Sequence, residues 1–117
     1  MSKSLISRIA DLQRKYGLPV DLSGYAYVRA AVALLYEDPS AYRRCIVTSL
    51  YPKVAQMFGT TASAVERCIR QAIIVARRNG NELIRDVDTN AKLLYMMAEE
   101  LLLEDAEAQQ RSAKKRR

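Results

Sequence analysis

"KVAQMFGTTASAVERCIRQAI", Lys53 to Ile73, decides the fold. It reads as a short helix, a tight turn at Gly59 and a second, longer helix. On a wheel, Val65, Ile69, Ala72 and Ala76 of the second helix fall within about 60° of arc, with Cys68 and Ile73 beside them. That side is the expected core. Ser63, Arg67, Arg70, Ile74, Arg77 and Arg78 lie opposite, with Glu66 and Gln71 at the margins. Four arginines therefore face outward with one acid among them. Such a face has two readings. Glu66 can pair with Arg70 at i,i+4 on an ordinary solvated helix, or the arginines can read a ligand.

The preceding segment favours the second reading. Ala55 permits two helices to approach closely, and Gly59 supplies the turn. A helix with Arg near its start follows, which is the helix-turn-helix pattern. In that motif the start of the second helix enters the major groove of DNA. Arg can donate twice to guanine O6 and N7, and Glu can accept from cytosine N4. The candidate base readers are thus Glu66, Arg67, Arg70 and Gln71. Lys53, Thr60, Thr61, Ser63, Arg77 and Arg78 are candidates for the DNA backbone. Ser63 followed by Glu66 matches a capping box, which predicts a recognition helix over about residues 63–79 and a helix-turn-helix over about 52–79.

Outward from this centre the chain is helical throughout. Residues 4–16 carry Leu5, Ile9 and Leu12 on one stripe with Ile6 beside it, and Gly17 is a C-terminal stop. Ser23 is a candidate cap for a helix from Gly24 to about Glu37, with Tyr25, Val28, Val32 and Leu35 inward. Pro39 is placed to open a helix over about 40–50. Pro52 must then kink that helix or start a new one. After "NGN", a short stretch from Glu82 to Asp88 leads to a "TN" cap. A last helix follows over about 90–106, with Leu94, Met97, Ala98 and Leu101 on one side. No alternating strand pattern appears. The expectation is an all-α bundle of five or six helices in residues 1–108, followed by a disordered basic tail over 109–117.

The chain has 117 residues and a net charge of +6. Five basic residues and no acid stand in "RSAKKRR", and the remainder carries 14 basic and 13 acidic residues. The body is therefore almost neutral, and the tail is either a phosphate-seeking arm or a solubilising end. Cys45 and Cys68 lack zinc-type spacing and are expected as buried free thiols, which suits a reducing cytoplasm. There is no signal peptide and no run of apolar residues long enough for a membrane span. The chain has no His, no Gly-rich phosphate loop, no metal cluster and no nucleophile–base pair. Neither an enzyme nor a cofactor is expected. The competing reading is a protein-interaction or dimerisation module on the same fold, for which the acidic run "EELLLEDAE" beside the basic tail is the relevant feature.

"GYAYVRAAVALLYED", "LYPKVAQMFGTTASAVERCIRQAI" and "ARRNGN" together resemble the C-terminal effector domain of the stage-zero sporulation response regulators of endospore-forming bacteria, over about residues 5–105. The resemblance implies six helices with the helix-turn-helix at the third and fourth. It implies sequence-specific binding to a short promoter box, often as tandem domains, and transcriptional regulation in the cytoplasm at the nucleoid. It also implies contact with the sigma factor of RNA polymerase. Carried over by position, the base readers are Glu66, Arg67 and Arg70, with Ser63 near the backbone. The chain departs from the family pattern at Ala64, commonly basic, and at Gln71, commonly His. Only "ELIRDVD" stands where the family has a longer segment that contacts sigma factor. The phosphoacceptor receiver domain has no counterpart, and with Met1 at the start a stand-alone relative is expected.

Overall fold

A computed structural model describes residues 3–115. Six α-helices make up the described chain: α1 (Leu5–Lys15), α2 (Ser23–Glu37), α3 (Pro39–Tyr42), α4 (Tyr51–Phe58), α5 (Ala62–Arg78) and α6 (Asn90–Lys115). No strand occurs among the described residues. Every predicted apolar stripe contributes to one core. Ile9 and Leu12, then Val28, Val32 and Leu35, then Val65, Ile69, Ala72 and Ala76, then Leu94, Met97, Ala98 and Leu101 are buried. Leu5 and Tyr25 lie at its margin, whereas Ile6 faces solvent. Burial of these side chains at ~25 cal/mol per Å² of apolar surface is the main term holding the helices together.

Three local expectations are corrected. Ser23 does not cap α2. It is the first helical residue, the cap position falls on Leu22, and no side chain bonds there. Residues 40–50 are not one helix. α3 ends at Tyr42, and residues Ile46–Leu50 form a wide π-type turn that runs straight into α4. In that turn the Cys45 carbonyl accepts from both Ser49 N (2.9 Å) and Leu50 N (3.0 Å). Pro52 explains the widening, because its ring clashes with the carbonyl four residues back in a straight α-helix. Finally, α6 does not stop near Ala106. It continues through Lys115, since "EDAEAQQRSAKK" holds neither Gly nor Pro and is rich in good helix formers. Arg116 and Arg117 of the basic tail lie outside the described residues.

Two features position α5. Gly24, in the first turn of α2, is buried against it. A Cβ there would stand 2.8 Å from the Cys68 carbonyl carbon and nearer still to its oxygen. The second is α6, which starts beside α5 and packs along α2. Its middle is tied down by Arg8, which donates to the Leu101 carbonyl (3.0 Å) and pairs with Glu104 (3.1 Å) and Asp105 (2.9 Å), while the Tyr36 hydroxyl donates to Asp105. Gln13, fully buried in α1, donates to the Tyr25 carbonyl at 2.7 Å.

Gly24→Ala is expected to destabilise the domain by about 1–3 kcal/mol, read as a lower urea midpoint with an unchanged slope. Ala would add about 1 kcal/mol of helix propensity. A stabilised variant would therefore mean that α2 and α5 do not approach as closely as described.

Candidate nucleic-acid interface

α4 and α5 are joined by Gly59, Thr60 and Thr61. Gly59 takes the left-handed conformation (φ 65°, ψ 38°), which glycine adopts without a Cβ penalty. Its N–H closes onto the Ala55 carbonyl, and Thr60 N also donates there at 3.0 Å. This turns the chain sharply enough to bury Val54 and Ala55 against Val65 and Ile69. The result is a helix-turn-helix over residues 51–78, within one residue of the expected limits at each end.

The predicted cap is corrected. Thr61, not Ser63, caps α5, with its Oγ1 accepting from Ala64 N at 3.1 Å. Ser63 is therefore inside the first helical turn and exposed. The third residue after the true cap is Ala64, so no reciprocal capping box forms. Glu66 is left free of the backbone and pairs instead with Arg70 at 2.5 Å; the two side chains are 42 % and 55 % exposed. Arg67 and Gln71 are exposed one helical turn apart, and among the described residues the Arg67 guanidinium has no ion-pair partner. Ser63, Glu66, Arg67, Arg70 and Gln71 thus come together over the first half of α5. Ile74 continues the same face and is partly exposed.

The backbone candidates are placed less uniformly. Lys53 is exposed on α4, and Thr60 and Thr61 sit in the turn. The Thr61 hydroxyl is occupied as the cap. Arg77 and Arg78 lie in the last turn of α5, more than two turns beyond Arg67. Arg77 donates to the Val87 carbonyl in the connection to α6, whereas Arg78 is exposed. Arg77 therefore pins that connection to α5.

Asn90 is a component that the sequence did not disclose. It is 8 % exposed at the start of α6, and its Nδ2 donates to the Glu66 carbonyl at 2.9 Å. The "TN" cap signal located the residue, but the actual cap is Thr89, whose Oγ1 accepts from Lys92 N. Nothing local marks the next Asn as a clamp on another helix. Tyr51 is buried near the same turn, and that burial pushes its hydroxyl above the ordinary phenol value. It stays neutral behind the Glu66–Arg70 pair at physiological pH.

The family profile for the sporulation initiation factor Spo0A C-terminal domain matches residues 9–101. The chain belongs to that family. The Spo0A C-terminal domain is a DNA-binding effector domain, so this chain is a DNA-binding regulator at the family level. The six-helix bundle agrees with that membership, while the helix-turn-helix falls on the fourth and fifth helices rather than the third and fourth, because the short α3 stands before it. Cys45 and Cys68 are free and half-buried, less enclosed than the sequence suggests. No helix among the described residues is long and apolar enough to cross a membrane.

Thr61→Ala should cost about 1 kcal/mol in thermal or urea unfolding, and Ser63→Ala less than about 0.5 kcal/mol. The opposite order would return the cap to Ser63. Asn90→Ala should cost roughly 1–2 kcal/mol, because it removes a buried hydrogen bond and leaves a gap beside Glu66.

Proposed function

We propose that the chain is a sequence-specific transcription regulator that lays the first half of α5 into the major groove of a promoter box. The exposed, unpaired guanidinium of Arg67 carries this reading. Among the described residues its donors are spent on no internal acceptor, and it sits at the end of α5 that a helix-turn-helix presents to base edges. Arg67 and Arg70 donate to guanines, Glu66 accepts from a cytosine, and Gln71 makes the neighbouring contact. Lys53, Thr60, Ser63 and Arg78 hold flanking phosphates, together with the uncapped amides at the start of α5. The Thr61 hydroxyl and the Arg77 guanidinium contribute by fixing α5 in place.

The family's common basic residue and His are replaced by Ala64 and Gln71, so the preferred box differs at the bases facing these positions. Ala64 is half-buried and offers no donor. The connection from α5 to α6 buries Ile84 and Val87, leaving Glu82, Leu83, Arg85 and Asp86 exposed. That is little surface for a sigma factor. Control by occupancy of the promoter is the mode this geometry favours, with tandem copies on repeated boxes as in the family pattern.

Binding to a family-type box and to a scrambled duplex at two salt concentrations tests the reading. The box should be preferred, and Arg67→Ala should cost roughly 1–3 kcal/mol on the box and far less on scrambled DNA. Lys53→Ala should weaken both duplexes alike and lower the salt slope by about one. Equal binding to both duplexes, unaffected by Arg67→Ala, would point to an interaction module instead.

A further inference from the structure

We infer that the outer part of α6 is a self-association element, pairing antiparallel with α6 of a second copy of this chain. The inference is independent of how α5 reads DNA. It begins with direction. α2 and α6 both start against α5, at the Gly24–Cys68 approach and the Asn90–Glu66 hydrogen bond, and they are still side by side where Tyr36 donates to Asp105. Both helices therefore run away from the recognition face. At 1.5 Å per residue the basic end of α6 lies about 38 Å along the axis from Asn90. That places it on the far side of the domain from the DNA-reading turn, where it does not reach phosphates of the same box.

Tertiary hydrogen bonds and ion pairs to α6 end at Asp105. Each of residues 106–114 is exposed, with Ala108 and Arg111 bordering a shallow groove shared with Lys3, Arg8 and Asp11, and the described residues span 51 Å along the longest axis. The body approaches α6 from the side of Leu94, Met97, Leu101 and Asp105. The opposite side carries Glu99, Leu103, Ala106, Gln110 and Lys114, while Leu102 lies on the flank, where it and Glu99 border a groove with Leu35, Pro39 and Arg43. Leu102 and Leu103 are 42 % and 53 % exposed. Two adjacent exposed leucines on a helix that projects from the body are a surface for packing.

Charge selects the partner and its orientation. The strip is acidic over 99–107 and basic from 111 onward. A parallel pair would set like charges together, whereas an antiparallel pair sets acid against base twice by symmetry. With the two-fold axis between Ala106 and Glu107, Glu99 of each copy lies opposite Lys114 of the other. Leu103 of each copy then lies opposite Gln110 of the other, one turn from its small Ala106 side chain, and Leu102 lies beside Arg111. Glu99 and Lys114 have no ion pair within the chain among the described residues. Glu100, Glu104 and Asp105, by contrast, are engaged by Lys15 and Arg8. The overlap covers about 16 residues, or about 24 Å of helix. It places the two recognition helices about 50 Å apart, farther than one turn of DNA.

Sedimentation velocity of the full chain without DNA, over micromolar to millimolar concentrations, tests the inference. A reversible monomer–dimer equilibrium that weakens with salt is expected. Leu103→Glu should abolish it. Lys114→Glu and Glu99→Lys should each weaken it about tenfold or more, and the double charge swap should restore it. All these positions are exposed, so circular dichroism melts should stay near those of the unmodified chain. A monomer at every concentration overturns the proposal. So does a dimer indifferent to Leu103→Glu, or two charge reversals that fail to compensate.

Discussion

The close approach of α2 to α5 at Gly24 is the constraint on which the rest of the structure depends. At that crossing a backbone meets a backbone, with no side chain between them to adjust. The spacing of the two helices is therefore set by covalent geometry rather than by a negotiable packing of rotamers. α2 in turn is the strut along which α6 packs and against which Gln13 anchors α1. A change of a few tenths of an ångström at Gly24 would propagate to the tilt of α5, and through it to the position of Arg67.

The back of α5 is held by three polar attachments of different origin. Thr61 fixes its start, Asn90 fixes its second turn, and Arg77 ties its last turn to the following connection. Thr61 and Asn90 act away from the outward face, and Arg77 uses it only in the last turn. Rigidity is thus supplied from the flank and the ends, and Arg67 and Gln71 are left clear. The Glu66–Arg70 pair alone occupies the first half of that face. Being exposed, it contributes little to stability, but it holds both side chains over the same stretch of the helix face.

The fold was legible because its cores are periodic. The wheel of α5 separated Val65, Ile69, Ala72 and Ala76 from Arg67 and Arg70 with no tertiary information, and Gly17 and Gly59 marked their turns correctly. What stayed hidden depends on choices between near-equal local options. "TTAS" offers three hydroxyls, and the path of the chain out of Gly59 selects Thr61 over Ser63. The wide turn before Pro52 needs the burial of Leu50 and Tyr51 to choose between a kink and a fresh start. Asn90 rests on a partner far away in sequence, Glu66. The groove-reading roles proposed for Glu66, Arg67, Arg70 and Gln71 follow from residue type and from the motif. Their internal partners did not.

The unbroken run of α6 has a consequence for how the molecule opens. A single helix begins among residues that are fully buried, such as Leu93 and Leu94, and runs on through exposed residues that, among the described residues, carry no tertiary hydrogen bond or ion pair beyond Asp105. Its amides therefore span the full scale of hydrogen-exchange protection, from global unfolding at one end to the fraying of an isolated helix at the other. Arg8, bridging the Leu101 carbonyl to Glu104 and Asp105, marks the step between the two regimes.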